Sequence, residues 1–188
     1  MPGTAGSTEG SDPPERERVV LLGSGNRPVG TADKRLVHGA RTPLHLAFSC
    51  YVLDSSGRLL VTRRALGKAA WPGVWTNSFC GHPGPDEPME EALHRRARQE
   101  LGISLEDVAV LLPEFAYRAT DASGIVENEF CPVYRATTRD TVPEPDPAEV
   151  VEWQWVAWAD FAAVARRAPW AISPWAARQM PLLTFGQG

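Results

Sequence analysis

An α+β sandwich, a mixed β-sheet flanked by helices in the α/β/α manner, is predicted by three features of this chain. Short strand-like apolar runs alternate with Gly, Pro, Asn and Asp clusters, one segment carries a clear helical periodicity, and 188 residues with 43% hydrophobic content suffice for one core. Interleaved strands and helices on so short a chain imply a single domain, residues 19–188. Residues 1–18, rich in Gly, Ser, Thr and Pro, carry too little apolar matter to offset ordering entropy and read as a disordered tail.

In chain order, 19–22 reads as a short strand, 23–30 as a turn-rich connection and 44–53 as a longer, mostly apolar strand. Turn residues Asp54-Ser55-Ser56-Gly57 make 58–64 the returning arm of a hairpin. A rigid aromatic loop, Trp71-Pro72-Gly73-Val74-Trp75, precedes a strand-like stretch at 76–80 and a Gly/Pro cluster at 81–88. The clearest helix follows: Asp86 offers an N-cap, Pro88 suits the first turn and Gly102 suits the stop, which bounds it at 88–101. Strands at 115–119, 126–136 and 152–156 and a helix at 160–167 complete the pattern.

A net charge of −4 argues against a nucleic-acid or anionic-membrane surface, so any phosphate binding is local. No segment approaches the roughly 18 to 20 apolar residues needed to span a bilayer, and the first residues lack the basic and apolar regions of a signal peptide. Cys50, Cys80 and Cys131 form an odd set without paired spacing, which fits a reducing cytoplasm better than a secreted disulfide framework. Nothing implies an obligate protein partner.

Within the helix, Met89, Leu93, Ala97 and Leu101 recur at four-residue intervals and define the buried face. Glu100 falls inside that stripe and Arg96, four residues earlier, flanks it. A carboxylate there needs a cation or hydrogen-bond donors. A salt bridge to Arg96 and a metal-ligand role both satisfy that need.

Gly81, Glu87, Arg95 and then Glu100-Leu101-Gly102-Ile103 resemble the Nudix box, whose loop and helix bind a divalent metal beside a diphosphate; the Nudix fold is what that resemblance implies. Arg96 and Gln99 stand where Nudix hydrolases place glutamates, and two missing carboxylates weaken metal-assisted hydrolysis. Further segments are similar to type I isopentenyl-diphosphate isomerases: Thr76-Asn77-Ser78-Phe79-Cys80-Gly81-His82-Pro83, Tyr117-Arg118-Ala119-Thr120-Asp121, Gly124-Ile125-Val126-Glu127-Asn128-Glu129 and Ser173-Pro174-Trp175. With Thr62-Arg63-Arg64-Ala65-Leu66, the likeness runs over 34–175. It implies reversible conversion of isopentenyl diphosphate to dimethylallyl diphosphate through a tertiary carbocation, in isoprene biosynthesis. The alternatives are a Nudix hydrolase of a nucleoside diphosphate derivative and a non-catalytic Nudix binding module.

That reaction needs an acid and a base on opposite faces of the substrate. Glu127 and Glu129 lie two apart on a predicted strand and so project from one face, where like charges would raise one another's pKa unless a cation sat between them. Imidazoles at His38, His45 and His82 with these carboxylates suit Mn²⁺, Zn²⁺ or Mg²⁺, and the resemblance assigns the five to one metal. It makes Cys80 and Glu129 the proton-transfer pair and Tyr117 the hydroxyl beside the glutamate. It sets Trp175 against the carbocation, and Lys34, Arg64, Lys68 and Arg96 against the diphosphate. A second metal, Mg²⁺, would join the diphosphate to Glu100 near the Cys80 carbonyl. Read singly, each histidine, lysine or arginine is an ordinary core or surface residue; His94 keeps that reading, and Cys50 and Cys131 read as packing residues.

Overall fold

The computed structural model describes residues 18–183. The tail expected over 1–18 lies outside them except for Arg18, which already opens the first strand. One sheet comprises β1 (Arg18–Leu22), β2 (Pro28–Asp33), β3 (His45–Leu46), β9 (Ala116–Thr120) and β10 (Val126–Phe130), in the order β2-β1-β3-β10-β9. The other contains β4 (Phe48–Leu53), β5 (Leu59–Arg64), β8 (Glu106–Leu112), β11 (Val133–Thr137) and β12 (Val150–Val156), in the order β12-β5-β4-β11-β8. Two short strands extend it, β6 (Trp75–Thr76) on β5 and β7 (Phe79–Gly81) on β4.

The two long strands expected at 44–53 and 126–136 each divide and pass from the first sheet to the second. Pro132 has no N–H to give a ladder, and the chain steps across it and across Ala47 in parallel. Ala47 N–H donates to Phe130 O at 2.9 Å and Ser49 N–H to Pro132 O at 3.1 Å, so backbone bonding continues through the step. Before it, His45 lies opposite Glu129; after it, Ser49 lies opposite Val133. The candidate site residues gather at this divergence.

All six residues of β4 are buried, and its alternation serves two cores. Phe48, Cys50 and Val52 pack with Leu93, Ala97 and Leu101 of α2 (Met89–Leu101). Tyr51 and Leu53 face the opposite way, toward Phe161 and Ala165 of α3 (Trp158–Arg167) and Trp175 and Ala176 of α4 (Pro174–Gln179). Helices thus cover both faces of one sheet, the expected sandwich, and each buried Leu or Phe contributes about 1.5–3 kcal/mol.

The expected capping of α2 is corrected at one end. Pro88, not Asp86, occupies the N-cap and no side chain caps the helix; Asp86 sits in the preceding turn at φ 57. That turn is fixed instead by Glu87, whose carboxylate accepts from Gly84 N–H at 2.7 Å and pairs with Arg95 Nε and Nη2 at 2.6 and 2.7 Å. Glu90 and Glu91 in the first turn complement the helix dipole. Gly102 ends the helix at φ 65, where an added Cβ would stand 2.8 Å from Glu144 O. Gly81 allows the close approach of β7 to α2: a Cβ there would lie 2.9 Å from Arg96 Cγ. Among the described residues, no helix is long and apolar enough to cross a membrane.

Candidate active site

A cavity of about 300 Å³ opens where the two sheets diverge, and most of the side chains singled out above line it. At one end, His38, His45, His82 and Glu129 bring ligand atoms within 4.8 Å of one another. Strand register builds this end: Glu129 on β10 is the direct partner of His45 on β3 and of Tyr117 on β9. His38 caps α1 (Lys34–Val37), and His82 follows β7, its carbonyl accepting from Arg95 Nη2 at 3.2 Å. Arg95 and Glu87 therefore act as a clamp for the His82 loop and do not face the cavity.

Glu129 Oε1 lies 3.1, 3.4 and 4.0 Å from the Nε2 atoms of His82, His45 and His38. The Nδ1–H of His45 donates to Pro43 O at 2.9 Å, so in the neutral ring Nε2 carries a lone pair. That atom is buried without a hydrogen-bond partner and faces a carboxylate. Two acceptors aimed at one another call for a cation, and an imidazole and carboxylate donor set suits a divalent metal. The residues present fit such an ion.

Glu127 stands apart from this quartet. Its carboxylate accepts from the Tyr117 hydroxyl at 2.7 Å, while Glu129 lies 2.9 Å from the same hydroxyl, so one proton serves two carboxylates. Burial, then the adjacent charge of Glu129, pushes Glu127 up to about 7. Burial would raise Glu129 as well, yet the three imidazoles hold it well below the usual carboxylate range. Burial lowers His82 to about 3. For His45 burial also favours the neutral ring, but contact with Glu129 leaves the net shift upward.

The other end is cationic. Lys34 from α1, Arg64 at the end of β5, Lys68 and Arg96 of α2 line it together with Glu100. Arg96 pairs with Glu100, Nε donating at 2.7 Å, so the salt bridge expected from the helix stripe is formed and also faces the cavity. Burial pushes the Glu100 carboxyl up against the pull of Arg96. Burial pushes Lys34 down, aided by the nearby Arg96 charge.

Between the ends lie Cys80 and Trp175. Cys80 sits on β7 opposite Ser49, and burial pushes its thiol up to about 12. Trp175 is 1% exposed, with its ring 5.8 Å from that of Tyr117 and 5.4 Å from the Arg64 guanidinium. Two features escaped sequence reasoning. Glu149 lines the cavity and bridges Lys68 and Arg96, the latter at 3.3 Å; it stands in a Pro- and Asp-rich connection with no periodicity to signal it. A buried polar network behind Cys80, including Ser49, Asn77 and Gln179, is likewise spread over three separate elements.

A diverging pair of sheets with a metal-suited corner beside α2 defines a Nudix-domain protein, and the NUDIX domain profile matches residues 43–180. A Deinococcus radiodurans protein of known crystal structure shares the fold, with a TM-score of 0.67 at 21% identity over 90% of this chain and 100% of its own. Curated proteins named isopentenyl-diphosphate Delta-isomerase are much nearer in sequence. That of Agromyces mediolanus is 62% identical, covering 90% of this chain and 82% of its own length; that of Clavibacter michiganensis is 58% identical, covering 91% and 88%. The chain belongs to the isopentenyl-diphosphate isomerase family within the Nudix proteins.

Proposed function

We infer that the chain interconverts isopentenyl and dimethylallyl diphosphate by moving a proton on and off a five-carbon skeleton. The observation that carries this reading is the convergence of Cys80, Tyr117, Glu129 and Trp175 on one small cavity whose far end is cationic. Lys34, Arg64, Lys68 and Arg96 hold the diphosphate, as charge-assisted hydrogen bonds to phosphate oxygens require. That anchors the hydrocarbon end among Cys80, Glu129 and Trp175.

In the reaction, one of Cys80 and Glu129 gives a proton to the alkene and the other removes one from a different carbon. Tyr117 delivers or receives the proton on the glutamate side through its bond to Glu129. The Trp175 ring stabilises the tertiary carbocation between the two steps, a contact worth about 2 kcal/mol or more when desolvated. The buried rings of Trp175 and Tyr117 limit the water that could add to the cation. His38, His45, His82 and Glu129, with Glu127 adjacent, would hold a divalent ion, and Mn²⁺, Zn²⁺ and Mg²⁺ all suit that donor set. A Mg²⁺ ion at Glu100 and the Cys80 carbonyl would accompany the diphosphate. These ions supply positive charge that fixes carboxylates and neutralises phosphate oxygens. The unpaired state of all three cysteines supports work in a reducing compartment such as the cytoplasm.

The test is product analysis with isopentenyl diphosphate and Mg²⁺ or Mn²⁺. Dimethylallyl diphosphate without released phosphate is the expected result; phosphate or nucleotide release from a nucleoside diphosphate panel, with no isomerisation, would transfer the chain to the hydrolases.

A further inference from the structure

The wall behind Cys80 is polar, and one of its amides has a fixed direction. Asn77 is fully buried, and its Nδ2 donates to Cys50 O and Phe79 O, both at 2.9 Å. Its Oδ1 accepts from Trp175 Nε1 at 3.0 Å, and an indole N–H can only donate. The amide therefore has one orientation, and its oxygen also faces Cys80 Sγ at 3.5 Å as an acceptor of the thiol hydrogen. On the other side of the same sulfur stands Ser49 Oγ, 3.3 Å away.

Ser49 is itself oriented from behind. Gln179 Nε2 donates to Ser49 Oγ at 2.9 Å, and Gln179 Oε1 accepts from Tyr51 OH at 2.9 Å. Ser49 Oγ accepts from that amide, and its other hydrogen-bonding neighbours are two sulfurs, Cys80 and, at 3.4 Å, the fully enclosed Cys131, so its own hydrogen goes to one of them. Cys131 does not line the cavity, so a negative charge formed there would gain nothing from substrate. Cys80 thus has an acceptor for its S–H on one side and a donor for its sulfur on the other.

We propose that Ser49, oriented by Gln179, is a positioning residue for the proton transfer at Cys80: its O–H donates to the sulfur whenever that sulfur has given up its hydrogen. The inference rests on the isomerase reading above and deepens it. When the thiol protonates the alkene, the S–H bond breaks, a C–H bond forms and the electron pair stays on sulfur. When the sulfur takes a proton from carbon, the C–H pair becomes the alkene and the S–H bond is restored. In both directions the charged state is the one Ser49 supports, whereas Asn77 supports the neutral thiol. Ser49 does not line the cavity, so its effect falls on turnover and not on substrate affinity.

Ser49→Ala, Ser49→Thr and Cys131→Ala are compared with the parent in the isomerase assay, with kcat and KM separated. The expected result is a fall in kcat of about tenfold or more for Ser49→Ala with KM within about threefold, recovery to within threefold of the parent in Ser49→Thr, and little change in Cys131→Ala. Parental kcat in Ser49→Ala overturns the proposal and leaves the isomerase reading standing. So does a loss in Cys131→Ala equal to that in Ser49→Ala, since the hydroxyl then serves the wrong sulfur. If the buried threonine methyl prevents Ser49→Thr from folding, Gln179→Met takes its place: a kcat loss of the same sign supports the proposal and an unchanged kcat overturns it. A parent that forms no dimethylallyl product removes the isomerase reading and this inference together.

Discussion

The two ends of the cavity are built by different means. The imidazole and carboxylate end comes from strand register: His45 and Tyr117 are both direct neighbours of Glu129, and His45, Tyr117, Glu127 and Glu129 are all buried. The cationic end comes from long side chains on a short helix, a strand terminus, a loop and α2, held by the counter-charges Glu100 and Glu149. Under the proposed assignment the contrast is apt: proton transfer tolerates little misplacement of the reacting atoms and suits rigid strands, whereas diphosphate recognition tolerates adjustment and suits flexible stems.

If that contrast is right, substitutions at the first end cost turnover and those at the second cost affinity. The largest effect is expected for Cys80→Ala and Glu129→Gln, each lowering kcat by about 10³-fold or more in a product assay while far-ultraviolet circular dichroism stays parental. Lys68→Ala comes next, raising KM about tenfold with kcat within threefold, the scale of one charge-assisted hydrogen bond. A tenfold kcat loss at Lys68 with unchanged KM would erase the distinction between the ends.

A third, thermodynamic test concerns Glu127. Its native-state value of about 7 exceeds its unfolded value of 4.5, so the stability tied to its protonated form is present below 4.5 and is lost as pH rises through about 7. In metal-free protein, Glu127→Gln is therefore expected to raise Tm by roughly 5 °C at pH 8 and hardly at all at pH 5, as read by calorimetry. Equal shifts at both pH values would show that the carboxyl is not the cause. The smallest effect is expected at Glu149, which pairs with Lys68 and Arg96, two of the side chains proposed to hold the diphosphate. Glu149→Gln should tighten inhibition by inorganic diphosphate about twofold to threefold; a weakening would make Glu149 a partner of the ligand instead.

Much of this architecture was legible in the chain because the relevant periodicities are local. The 3.6-residue stripe located α2 and marked Glu100 as buried, and the spacing of Glu127 and Glu129 placed both on one strand face. What the chain concealed depends on tertiary placement. Pro132 was the sign that 126–136 could not be one strand in one sheet, yet only the parallel pairing with β3 and β4 shows the two sheets parting there. Edge strands β2 and β8 carry largely exposed or half-buried residues, and α4, six residues long, has too few turns for a period. Glu149 and Ser49 belong to segments with no chemical motif, and only folding brings them to Lys68 and to Cys80.

The central claim is that an acid and a base within one cavity exchange protons with carbon while the diphosphate stays intact. Incubating the protein with isopentenyl diphosphate and Mg²⁺ or Mn²⁺ in D₂O, and reading the product by mass spectrometry and NMR, tests it most directly. The expected result is dimethylallyl diphosphate carrying carbon-bound deuterium, with none formed by Cys80→Ala or Glu129→Gln. Unlabelled substrate alongside released phosphate would contradict the account.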